Sequence, residues 1–264
     1  DHFEDRKDEL IAILKELTCM IFRPENLMVD YTAQKEADSG LTEQVRSLRA
    51  ALHTKPVEKR PYQPVTERKN EGLLSSAQVQ YVCRAGNFIK KGFSYTGSLR
   101  VLRVMMGYEY LWSQVRVKGG AYGCMCSFGR SGDSYFVSYR DPNLEKTIEA
   151  YQGASEFVRN FQADERTMTK FIIGAVSESD MPLSPAAKGA RSMAAYLTNM
   201  TYEETQKERD QMLGTRPEDI RALAGYLDAF LSDDCLCVVG NEKKIREQKE
   251  LFLKLEPLSH GGEE

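Results

Sequence analysis

Trp112-Ser-Gln-Val-Arg116-Val-Lys118-Gly119-Gly120-Ala-Tyr122-Gly123 is the stretch on which the reading of this chain turns. Upstream of it, residues 98–112 set Leu, Val and Met at helical spacing, with Tyr108, Leu111 and Trp112 continuing the buried face. A long apolar helix therefore ends in a basic segment. Two glycines then let the backbone turn freely, and a strand is predicted over residues 121–128. Arginine offers a rigid fork of donors and tyrosine one movable hydroxyl, a set suited to gripping peptide carbonyls or stabilising an oxyanion. The same residues fit a plainer role, in which Arg116 and Lys118 complement the helix dipole and Tyr122 is a strand residue.

Outward from this stretch, a second strand is predicted over residues 134–139, joined to the first by Gly129-Arg-Ser-Gly-Asp133 as a tight hairpin. Asp141-Pro142 predicts an N-cap and first helical residue for a helix running to about residue 161. Further helices are predicted over 165–177, from Ser184-Pro185 to Leu197, and behind the capping boxes Thr201-x-x-Glu204 and Thr215-x-x-Glu218, with Gly214 as a stop between them. Strands are expected at 78–83 and 235–239, and a terminal helix at 242–255. At the other end, residues 9–17 carry a helical stripe at Leu10, Ile13, Leu14 and Leu17, residues 27–31 read as a short strand, and residues 41–52 repeat the stripe. The opening unit (9–52) and the closing unit (219–255) thus share an order of helix, strand and helix. That echo suggests two copies of one domain type, the first reduced to its tail, although α/β chains also produce this order by coincidence. Between them, residues 54–70 hold three of the nine prolines and no periodicity, the mark of a linker.

A chain of 264 residues can bury a substantial core, and its net charge of -3, with basic residues matched by acidic ones, excludes a nucleic-acid binder. Its apolar runs fall well short of the roughly 20 residues of a membrane helix, and residues 1–9 are too charged for a secretory signal. Six cysteines are too few for a disulfide framework in a chain this long, so the expected setting is the reducing cytoplasm or, where a longer parent chain carries a targeting signal, a mitochondrion or other organelle. His2, His53 and His260 are the only histidines, none four residues from another, so neither the His-Glu-x-x-His zinc pattern nor its inversion can be written. Cys124-x-Cys126 and Cys235-x-Cys237 have too short a gap for an ordinary zinc pair and read as core. Nucleophile elbow, phosphate loop and dinucleotide fingerprint are all missing.

The run from Leu111 to Gly123, followed by Phe136-Val-Ser-Tyr-Arg-Asp-Pro-Asn143 and Leu144-Glu-Lys-Thr147, resembles the C-terminal domain of the presequence protease subfamily of insulinase-like zinc metallopeptidases. The resemblance implies three segments: residues 1–53 as the tail of a preceding homologous domain, 54–70 as a linker, and 71–264 as a zinc-free C-terminal peptidase domain. It implies an α/β domain in two layers, a mostly antiparallel sheet with helices on one face. It further implies that the parent degrades unfolded peptides in a closed chamber, with zinc held by an N-terminal catalytic half outside this sequence. Catalytic and metal-binding residues are then expected to lie outside this fragment, which would be inactive alone. The substrate-binding arginine and tyrosine of the subfamily fall on Arg116 and Tyr122. Lys118, Gly119 and Gly120 form the supporting loop, and Arg140 reads as structural, bridging strand and helix, with a chamber-facing role as its alternative. The alternative is a non-catalytic peptide-binding or scaffold subunit of the same superfamily.

Overall fold

The protein is described here by a computed structural model, which covers residues 3–34, 40–58, 61–64, 67 and 70–258. Its elements run in the order α1 (Phe3–Ile21), α2 (Leu41–Ala51), β1 (Glu71–Ser75), β2 (Gln80–Asn87) and α3 (Ser98–Met105). A wide helix over Met106–Lys118 continues α3 and leads into the hairpin β3 (Gly123–Phe128) and β4 (Asp133–Asp141). Helices α4 (Glu145–Gln152), α5 (Ala154–Arg159), α6 (Glu165–Ser179), α7 (Pro185–Leu197), α8 (Tyr202–Leu213), α9 (Pro217–Ala222) and α10 (Ala224–Leu231) follow. The chain closes with β5 (Cys235–Asn241), α11 (Glu242–Glu247) and β6 (Lys254–Pro257).

Two compact units divide these elements. One comprises the described residues of Asp1–Val65 together with Pro182–Thr201; the other comprises those of Thr66–Met181 and Tyr202–Glu264. Helix α7, which sequence reading placed in the second domain, thus groups with the N-terminal segment. The reason is visible at Gly189: a Cβ there would lie 2.0 Å from Thr32 Oγ1 and 3.1 Å from Asp30 Oδ2, so the missing side chain lets residues 30–32 run against α7. Residues 27–34 form no strand, which corrects the expectation for 27–31 and removes the strand from the internal echo.

In the second unit, six strands form one sheet in the order β3-β4-β2-β5-β1-β6. The pairs β3/β4, β4/β2 and β2/β5 are antiparallel, whereas β5/β1 and β1/β6 are parallel. The sheet is mixed and mostly antiparallel, as expected. Period-two alternation turns Val82, Phe136, Leu236 and Val238 to a buried face. Phe136 meets the ring of Tyr151 from α4 at 5.4 Å and that of Phe230 from α10 at 5.2 Å, each fully buried aromatic contributing about 2 kcal/mol by area. Tyr81, Tyr135, Tyr139 and Met125 alternate to the opposite face and stay partly exposed.

Several local expectations are corrected. Asp141 is the last residue of β4 rather than a helix N-cap: its carboxylate accepts from Asn143 N at 2.8 Å and Thr147 Oγ1 at 2.7 Å, and the helix starts only at Glu145. That helix breaks at Gly153, where a Cβ would stand 2.7 Å from the Tyr110 hydroxyl, itself donating to the Ala150 carbonyl at 2.6 Å. The cap of α9 is set one residue later than the predicted box, with Asp219 accepting from Arg216 N at 2.8 Å. The predicted terminal helix ends at Glu247, and the following chain becomes β6, a parallel edge strand on β1.

Candidate functional site

The wide helix over Met106–Lys118 follows the i→i+5 hydrogen-bond pattern of a π-helix, a rare form associated with functional positions. Its buried residues are Met106, Tyr110, Leu111 and Val115, at gaps of four, one and four, so the apolar face drifts from where a 3.6-residue period puts it. Tyr108 and Trp112, expected on the buried face, are exposed instead, Trp112 by 46%. Trp112 thereby becomes a platform. The Arg116 guanidinium lies 4.2 Å from its ring centroid, within cation–π range.

The helix ends in two tight backbone contacts, Gly120 N donating to the Arg116 carbonyl at 2.8 Å and Ala121 N to that of Val115 at 3.2 Å. Gly119 has no room for a side chain, since a Cβ would come within 2.4 Å of the Val115 carbonyl oxygen, and Gly120 sits at φ +80°. Asn143 locks this turn from outside by donating its side-chain amide to the Gly119 carbonyl. Lys118 donates to Gln114 Oε1 at 3.3 Å along its own helix and points at nothing else the geometry marks.

Beyond the turn, Tyr122 N–H is shared between the carbonyls of Tyr139 (3.1 Å) and Arg140 (3.3 Å), which pins the residue to the end of β4. Arg116 Nη1 donates to the Tyr122 carbonyl, and its guanidinium stands 5.7 Å from the Tyr122 ring. The ring is 64% exposed and meets Tyr139 edge-on at 5.6 Å; Tyr139 in turn meets Tyr81 at 5.3 Å. The predicted pair is therefore brought together, with Gly119 and Gly120 forming the turn between them. Sequence reading missed Trp112 as a platform, Asn143 as a lock, and Tyr139 and Tyr81 as the continuing ring surface. Strand alternation from Tyr135 to Tyr139 carried the signal for the last two.

Behind this surface, burial pushes the Cys124 thiol up to about 11, Arg116 nearby partly opposing the shift and Asp141 adding to it. Cys126, deeper still, is pushed up to about 12 by burial, against the opposing charge of Arg103. Both remain neutral thiols near neutral pH. Among the described residues no cluster of three or more His, Cys, Asp or Glu is placed to hold a metal ion. His53 Nε2 lies 3.8 Å from the Cys19 sulfur, and His2 and His260 lie outside the described residues. No helix among the described residues is long and apolar enough to cross a membrane.

Comparison with known proteins bears on this arrangement. Protein HypA of Clostridium perfringens is 41% identical over 249 residues, covering 94% of this chain and 26% of that protein. Presequence protease 1, chloroplastic/mitochondrial, of Arabidopsis thaliana is 40% identical over 178 residues, covering 67% of this chain and 16% of the plant protein. The chain thus spans about a quarter of the first relative and less of the second. The fold is shared with a peptidase M16 inactive domain from Pseudomonas fluorescens, at a TM-score of 0.50 and 17% identity over 77% of this chain and 50% of that one. Pitrilysin shares it at a TM-score of 0.51 and 12% identity, over 76% of this chain and 23% of that one. Residues 70–240, the span that holds the sheet up to β5 and the whole Arg116–Tyr122 turn, match the family described as PreP C-terminal domain. The chain belongs to that family, as a C-terminal part of an insulinase-family protease of the presequence protease type.

Proposed function

We propose that this chain supplies substrate-binding groups to a zinc metalloendopeptidase that degrades unfolded peptides in a closed chamber, its catalytic half lying outside this sequence. The observation that carries the reading is the convergence of Arg116 and Tyr122 at an exposed surface, each fixed by its own backbone and ring contacts. Held on Trp112, the guanidinium spends one nitrogen on the Tyr122 carbonyl, and the rest of its fork would grip backbone carbonyls of an extended peptide. The Tyr122 hydroxyl would donate to the scissile carbonyl oxygen, more strongly as charge develops there. Both groups are pre-set by the turn, so little reorganisation is needed when the peptide arrives.

In this proposal the catalytic half would hold the zinc, which would supply activation of water there, and the residues of this chain only bind and orient. Residues 1–53 are read as the tail of the preceding domain and 54–70 as the linker, of which 59, 60, 65, 66, 68 and 69 lie outside the described residues. Six free cysteines accord with a reducing, cytoplasmic setting. The test is to mix this chain with a separately produced N-terminal half. Restored peptide hydrolysis supports the proposal; peptide binding without hydrolysis in the mixture replaces it with a scaffold role.

A further inference from the structure

Three described non-glycine residues have a positive φ: Arg140 at 49°, Asn199 at 53° and Asp234 at 51°. Asn and Asp tolerate this region, but arginine has no local hydrogen bond to offer in return. Its conformation is imposed by register. Gln80 opposes Asp141 and Val82 opposes Ser138, so Tyr139 and Arg140 together face the single residue Tyr81, which makes a β-bulge at the end of β4. Bulges re-aim side chains, and strain of this kind gathers at functional positions.

The re-aimed guanidinium meets a ring rather than a carboxylate, lying 5.7 Å from the centroid of Tyr139. Tyr139 touches Tyr122, and Tyr122 lies beside Arg116. One run of rings therefore carries a guanidinium at each end, and the bulge that aims Arg140 also holds Tyr122 through its carbonyl. We propose that Arg140 is a third substrate-binding residue, presented by the bulge to a backbone carbonyl of the same extended peptide that Arg116 and Tyr122 hold. This rests on the reading of Arg116 and Tyr122 given above.

Trp112 is the only tryptophan of the chain and lies against Arg116, so its fluorescence reports the site directly. The 264-residue chain is titrated with a blocked, uncharged, tryptophan-free decapeptide, alongside the variants Arg140→Gly and Arg140→Asn. Both replacements accept a positive φ, so both are expected to melt at or above the parent temperature. Loss of a charged hydrogen bond should weaken their peptide affinity by about tenfold. Unchanged affinity in both variants overturns the proposal, as does a loss matched by a drop in melting temperature, which would make Arg140 a structural residue. If the parent itself gives no saturable response, the reading of Arg116 and Tyr122 falls as well. A saturable response that both variants share leaves that reading standing and removes Arg140 alone.

Discussion

Helix α1 and the wide helix over Met106–Lys118 are both amphipathic, yet they end in opposite conditions. No residue of α1 is buried: Ile11, Ile13, Leu14, Leu17, Met20 and Ile21 are all exposed. The wide helix buries Met106, Tyr110, Leu111 and Val115 in the core of the second unit and keeps Trp112 and Arg116 at the surface. An apolar stripe is thus a demand for a partner, and only the second helix has its partner within the described residues. A contiguous exposed apolar face of this kind marks an interaction surface. In our reading that partner is the domain to which residues 1–53 belong.

The comparison breaks first at its largest predicted difference. Leu111→Ala, at a site with no exposure, should cost about 3 kcal/mol. Leu14→Ala, at a residue 62% exposed, should stay within about 0.5 kcal/mol in thermal or denaturant unfolding. Equal losses would mean that α1 is packed after all. Next in size, Gly119→Ala forces a Cβ against the Val115 carbonyl oxygen and should cost about 1 to 3 kcal/mol. Gly120→Ala, which meets only Pro142 Cγ at 3.5 Å, carries the left-handed backbone penalty of about 1 kcal/mol.

A smaller effect follows pH. Burial raises Cys124 and Cys126 from an ordinary 9.0 to about 11 and about 12. The folded chain therefore binds more protons than the unfolded one above pH 9, so their contribution is intact below pH 9 and is lost as pH rises toward 12. Unfolding midpoints measured from pH 8 to pH 11 should decline for the parent and less for Cys124→Ala; a flat profile would show these thiols to be reachable by water. The smallest predicted change in stability is Leu14→Glu with Leu17→Glu on α1. It should leave the melting temperature nearly unchanged while lowering concentration-dependent association in sedimentation. Strong amide protection of α1 in a dilute monomer would contradict the unpartnered face.

Where local chemistry decided the structure, it could be read directly. Ser184 caps α7 by accepting from Ala187 N at 3.2 Å, Pro185 starts it, and the glycine hairpin joins β3 to β4. Non-local pairing could not be read in the same way. Strands β1 and β6 are five and four residues long and gain their state from parallel neighbours distant in sequence. The chain at residues 27–34 has a strand-like composition without a sheet to join. At the site, donor types and glycines standing together drew attention to Arg116 and Tyr122, while their proposed substrate-binding role came from the family resemblance alone. Trp112 was misplaced because the helix widens from α3 onward and its period changes, while the contact of Asn143 with Gly119 crosses 24 residues and leaves no local trace.

The most direct test of the account is Tyr122→Phe, which removes one exposed hydroxyl and keeps the ring contacts with Tyr139 and Arg116. Peptide turnover is measured in this chain joined to its catalytic half, beside the melting temperature of the variant. The account predicts a loss in turnover of about a hundredfold, near 3 kcal/mol, at an unchanged melting temperature. Full turnover at unchanged substrate affinity would contradict it and leave Tyr122 an ordinary strand residue.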